Sequence, residues 1–247
     1  MKILFEACVD SVSSAINAEI AGADRIELCS NLLEGGITPS FATIKLVVDQ
    51  LKIPVNVLVR PRSGDFLYSD SEFEVIKQDV IVCREVGVNG VVIGLLTENG
   101  EVDYSRTKQL IELAGKMSVT FHRAFDMTRD AEKALSLLIN LGVDRVLTSG
   151  QEEDVFKGIS TLKKLVELAG DKIIILPGGG VTENNIKEVI KQTGVKEIHA
   201  SARVTVKSRM KFINSRVAMS EANAKPGYDP MVASVERIRE MIKRISE

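Results

Sequence analysis

At 247 residues and 45% hydrophobic content, the chain is long enough to bury a full core, as one large α/β domain or two small ones. Its 32 Lys and Arg stand against 34 Asp and Glu, a formal charge of -2 that leaves no basic field to draw nucleic acid. No apolar run approaches the roughly 18 residues of a membrane span, and the opening MKILF is cut short by Glu6, so the expectation is a soluble, cytoplasmic protein with no membrane partner.

Read in chain order, eight short β-rich runs follow one another: KILFEAC, RIELCS, VNVLVRP, GVVIGLL, VTFHRAF, RVLTSG, IIILPGG and EIHAS. Helical patterns separate them. Before the second gap's helix, GGITPS offers Thr38 as an N-cap with Pro39 at the first helical position. YSDSEFE then offers Ser69 with Glu72 three residues on, the signature of a capping box. In the helix that follows, Phe73, Ile76, Val80 and Cys83 recur at spacings of three and four, so Cys83 reads as inert core.

A repeat ties these units together. Gly22, Gly87, Gly142 and Gly194 lead into the even-numbered strands, and Gly115 and Gly170 into the fifth and seventh. Each sits where a helix ends and a left-handed residue is needed. Eight such units predict an α/β fold, a single (β/α)8 TIM barrel over residues 1–247, because closing the sheet removes its edges. One segment breaks the rhythm: residues 202–229 form a long loop between strand eight and the C-terminal helix, with a lid, a subunit contact or a mobile stretch all open.

In such a barrel the site lies at the C-terminal ends of the strands. Alternation places Glu6 with Cys8, Glu27 with Cys29, Arg60 with Arg62, and His199 with Ser201 on common strand faces, and His122 ends the fifth strand. As an enzyme, the chain would use Glu6, Glu27 and His122 to move protons and Arg60 to neutralise developing charge. As a frozen network, Glu27 would pair with Arg60 and His122 with a carboxylate.

PGGGVTENN adds an anion cradle at Gly178, Gly179 and Gly180, with Thr182 capping the next helix and Ser201 and Arg203 as further donors. Arg60 and Arg62 together suit a carboxylate or phosphate clamp, while Asp126 reads as a helix cap. Cys8 and Cys29 end neighbouring strands, about 4.8 Å apart, so two sulfurs can reach one ion or simply fill space. Two thiolates without a histidine pair favour Cu(I) over zinc.

Together FEACVDS, GADRIELCSNLLEGGITPS, VRPRSGDFLYSD, TFHRAFD, VLTSG, PGGGVT and HASARVTVKSRMKFINSRVAM resemble the CutC family of copper homeostasis proteins, over nearly the whole chain. The resemblance implies a TIM barrel, a cytoplasmic location, a homodimer or homotetramer, and a Cu(I) binding or trafficking role with Cys8 and Cys29 at the metal positions. The alternative is a TIM-barrel enzyme acting on a small anionic, perhaps phosphorylated, substrate.

Overall fold

The computed structural model describes residues 2–217 and 228–246. Eight strands and the helices between them alternate in chain order: β1 (Leu4–Val9), α1 (Val12–Ala21), β2 (Arg25–Leu28), α2 (Phe41–Gln50), β3 (Val55–Leu58), α3 (Asp70–Val86), β4 (Gly90–Ile93), α4 (Tyr104–Ala114), β5 (Ser118–Phe121), α5 (Ala131–Leu141), β6 (Arg145–Thr148), α6 (Ile159–Ala169), β7 (Ile174–Pro177), α7 (Ile186–Thr193) and β8 (Glu197–Ala200). The strands pair in parallel in the order β7-β6-β5-β4-β3-β2-β1-β8. At the remaining seam a Cβ on Gly178, just past β7, would lie 3.0 Å from the His199 ring on β8, so the two ends of the sheet meet and the expected barrel is formed.

Helix boundaries follow local chemistry. Gly22, Gly87, Gly142 and Gly194 end their helices in the left-handed conformation, as the repeat predicts. Ser69 and Glu72 form the predicted capping box on α3, whose Phe73, Ile76, Val80 and Cys83 are all buried. Two caps fall elsewhere. The N-cap of α2 is Ser40, which accepts from the Thr43 amide, because the Thr38 hydroxyl is engaged with the Arg60 backbone. The N-cap position of α7 is Asn185, whose side chain turns back to the Thr182 amide and the Gly180 carbonyl, so Thr182 does not cap this helix.

The strands are buried on both faces, with different contents. Outward residues such as Phe5, Ala7, Ile26, Val57, Val91, Phe121 and Val146 meet helix residues such as Ala18, Val47 and Leu138 in the main core. Inward residues at alternate positions are largely polar: Glu6, Arg25, Glu27, Asn56, Thr120, His122, Glu197 and His199 are all buried.

Within the long segment after β8, β9 (Arg203–Thr205) pairs antiparallel with β10 (Met231–Ala233), which leads into α8 (Val235–Ser246). The middle of the predicted 202–229 loop, residues 218–227, lies outside the described residues.

Candidate functional site

The lower half of the barrel interior is a closed ionic network. Strand register sets Glu6 beside Arg25 on β2 and beside His199 on β8. Arg25 donates from Nε to Glu6 and from Nη2 to Glu197 at 2.6 Å; Arg145 on β6 donates to the same Glu197 oxygen at 2.9 Å. Asn56 reaches Glu6 at 3.4 Å. Two carboxylates and two guanidiniums balance here. Although burial alone would raise the Glu6 carboxyl, its bonds to His199 and Arg25 hold it down at about 2.

Above this network stand the thiols. The Cys8 and Cys29 sulfurs are 3.8 Å apart, both buried and both free. The Cys29 hydrogen bond holds Cys8 below the ordinary thiol value, and the same bond with burial pushes Cys29 well above it, so the pair shares a proton with the negative charge on Cys8. His199 supplies a third donor. Its Nδ1 meets Glu6 at 2.8 Å, which orients Nε2 toward Glu27 at 3.4 Å. Cys8, Glu27 and His199 each offer one ligand atom, all within 4.8 Å of one another. Burial opposes a charge on His199, yet its bonds to Cys8 and Glu6 and the nearby Glu27 raise it well above the usual value. Glu27 is pushed up by burial and by the negative Cys8.

The expected Glu27–Arg60 pair is not formed. Arg60 turns its guanidinium to backbone carbonyls, Nη1 to Glu34 and Gly36 and Nη2 to Gly64, because the loops after β2 and β3 fold over it and present them. His122 does not bond a carboxylate either: its Nδ1 accepts from the Ala124 amide at 3.0 Å. Burial and the Arg60 charge push His122 down to about 3, so its ring is neutral. The two still share a cavity of about 110 Å³ with Cys8, Cys29, Glu27 and His199.

Other predicted residues lie apart from it. Arg62 leaves the strand face for Glu72 at 2.5 Å and Asp65 at 3.0 Å, so no Arg60–Arg62 clamp exists. Arg203 lies 3.7 Å from Asp10, and Ser201 is half-buried just before the turn at Ala202. The glycine loop is tightly packed: a Cβ would fall 2.5 Å from Leu147 at Gly178, 3.0 Å from Arg123 at Gly179 and 2.9 Å from Asp154 at Gly180. Asp126 caps no helix, since Asp130 caps α5; it gathers the Thr148 and Ser149 hydroxyls, the Ser149 and Gln151 amides and Arg123. Cys83 is core, pushed by burial to about 12.

Sequence reasoning missed Arg25, Asn56, Arg145 and Glu197. Arg25 stands two residues before Glu27, and Glu197 two before His199, so extending the alternation one step down each strand finds them. It also missed Gly94, whose bare Cα gives His122 its place: a Cβ there would sit 2.3 Å from the ring.

Comparisons with known proteins agree with the fold. The chain matches the model of the CutC family over residues 3–204. It is 47% identical over 236 residues to the copper homeostasis protein cutC homolog of Homo sapiens, covering 96% of this chain and 86% of that one, and equally identical to the Mus musculus homolog at 96% and 87%. The crystal structure of CutC from Streptococcus agalactiae superimposes with a TM-score of 0.76 at 35% identity, covering 80% of this chain and 97% of that one.

Proposed function

We propose that this chain, which belongs to the CutC family, is a copper homeostasis protein that binds Cu(I) between Cys8 and Cys29 with His199 as a third donor. The observation that carries the reading is the pair of sulfurs 3.8 Å apart at the foot of a cavity, with the His199 imidazole, oriented by the Glu6 carboxylate, grouped with Cys8. A soft monovalent ion suits thiolate donors, and a carboxylate on the far nitrogen of a ligating histidine orients the ring and raises its basicity. Such an ion replaces the proton held by Cys29 and the Nε2 proton of His199. Binding therefore releases protons and strengthens as pH rises.

The chemistry fits transfer as well as storage. Every donor hangs from a strand end, so the ion enters and leaves through the barrel mouth without unfolding the wall. A cytoplasmic setting belongs to the same proposal, supported by three free thiols that a reducing compartment preserves. No described helix is long and apolar enough to cross a membrane. Assembly as a homodimer or homotetramer is supported by exposed Met210, Phe212 and Ile213 on the long segment after β9.

Competition titration with a Cu(I) chelator tests the metal reading. One ion per chain is expected, with binding lost in the Cys8→Ser, Cys29→Ser double variant. Unchanged stoichiometry and affinity in that variant would overturn it.

A further inference from the structure

Two residues that line the cavity each bury a donor without an acceptor among the described residues. Because His122 Nδ1 already accepts from the Ala124 amide, the proton of the neutral ring must sit on Nε2, and that N–H meets no protein acceptor. Arg60 repeats the pattern: its four outer N–H groups are served by three backbone carbonyls, while Nε is buried and makes no hydrogen bond among the described residues, with the Tyr68 hydroxyl close to the guanidinium. Those carbonyls are neutral, so among the described residues the Arg60 charge is paired with no carboxylate. A buried donor left without an acceptor opposes folding, because it loses its water and gains nothing in return. Two on one cavity mark a place where something else is meant to accept.

The two side chains also meet on one aromatic ring. Phe66 joins them, with the Arg60 guanidinium 5.0 Å over its face and the His122 ring centroid 5.1 Å away. Arg60 follows β3 and His122 follows β5, so the strand between them is β4, and at their level it carries Gly94 with no side chain to intervene. The space is small. At roughly 30 Å³ per water molecule, about 110 Å³ is the space of about four waters, enough for a few covalently joined atoms and far below a nucleotide or a sugar phosphate.

We propose that the barrel mouth, beside the thiols, binds a small organic monocarboxylate of about two to four carbons, its carboxylate oxygens accepting from His122 Nε2–H and Arg60 Nε–H. A planar head with two acceptors matches two N–H donors and one uncompensated positive charge. The short carbon tail points toward the apolar part of the wall, where Leu58 and Leu147 lie. This site uses neither sulfur and stands independently of the copper reading.

The test is a calorimetric titration of the metal-free full chain with acetate, pyruvate and L-lactate, with lactamide and inorganic phosphate as comparisons. Saturable one-to-one binding is expected, roughly millimolar for so few atoms, with lactamide and phosphate much weaker. His122→Phe keeps the ring against Phe66 and removes the donor; it should weaken binding at least about tenfold. His122→Gln, whose amide nitrogen again offers a donor, should restore part of the loss. No saturable carboxylate binding, equal binding of lactamide, or unaltered affinity in His122→Phe would each overturn the proposal and leave ordered water as the acceptor.

Discussion

The floor and the mouth of this barrel are built from the same residue types and treat them differently. On the floor, Glu6, Arg25, Glu197 and Arg145 satisfy one another across four strands. At the mouth, one strand step higher, Arg60 and His122 keep a donor each unpartnered and the Cys8–Cys29 pair keeps a negative charge. Glu6 joins the two, giving one oxygen to Arg25 and the other to His199. Buried charge alone is therefore a poor marker of a site. Incomplete pairing is the better one, because a closed network has already met its desolvation cost and an open one has not.

The largest expected effect comes from opening the floor. Arg25→Met leaves Glu6 with His199 as its one charged partner and Glu197 with Arg145 as its one, and loss of one partner from a buried ion network costs about 3 to 5 kcal/mol. Urea unfolding should show that as a lower midpoint; a change below about 1 kcal/mol would mean that the floor is as loosely paired as the mouth. The floor also sets the acid limit. The Glu6 carboxyl is depressed in the folded chain from 4.5 to about 2, so its contribution is complete above about pH 4.5 and is lost as pH falls toward 2. Glu6→Gln should flatten that part of the stability profile in thermal melts from pH 5 to pH 2.

An intermediate effect sharpens the mouth. Gly94→Ala places a methyl 2.3 Å from the His122 ring and forces it to move, an overpacking cost of about 1 to 3 kcal/mol. The displaced imidazole no longer lies opposite Arg60. Carboxylate binding should therefore fall while one Cu(I) per chain is retained; loss of both ligands together would mean that the mouth is a single site.

The unequal legibility of the two regions has a physical origin. Strand runs, the glycines at helix ends and the Ser69 capping box were readable because each depends on neighbours within a few residues. The closeness of Cys8 and Cys29 was readable because adjacent parallel strands fix it, and the CutC resemblance pointed to the same two thiols. The partner of a long side chain was not. Arg60 lies on the strand next to Glu27, yet its guanidinium finds the Glu34, Gly36 and Gly64 carbonyls, and that choice depends on how two loops fold over it. Asp126 likewise gathers groups from the β6–α6 loop more than 20 residues on. Alternation predicts which face a residue shares, and three-dimensional crowding decides whom it meets.

The smallest effect carries the most information through its sign. His122→Phe removes the orphan Nε2–H and one acceptor for the Ala124 amide, and keeps the ring packed beside Phe66 and Phe121. Losing an unsatisfied donor is favourable and losing the amide's acceptor is not, so the two nearly cancel and stability should move by no more than about 1 kcal/mol. Measured by urea unfolding in the absence of any carboxylate, a neutral or stabilising result means that His122 is held in the mouth at the expense of the fold. A loss above about 2 kcal/mol would instead place His122 with Arg25, as a residue whose bonds the structure needs. The same variant therefore asks of the mouth what Arg25→Met asks of the floor, and opposite answers are expected because only the floor's charges have already found their partners.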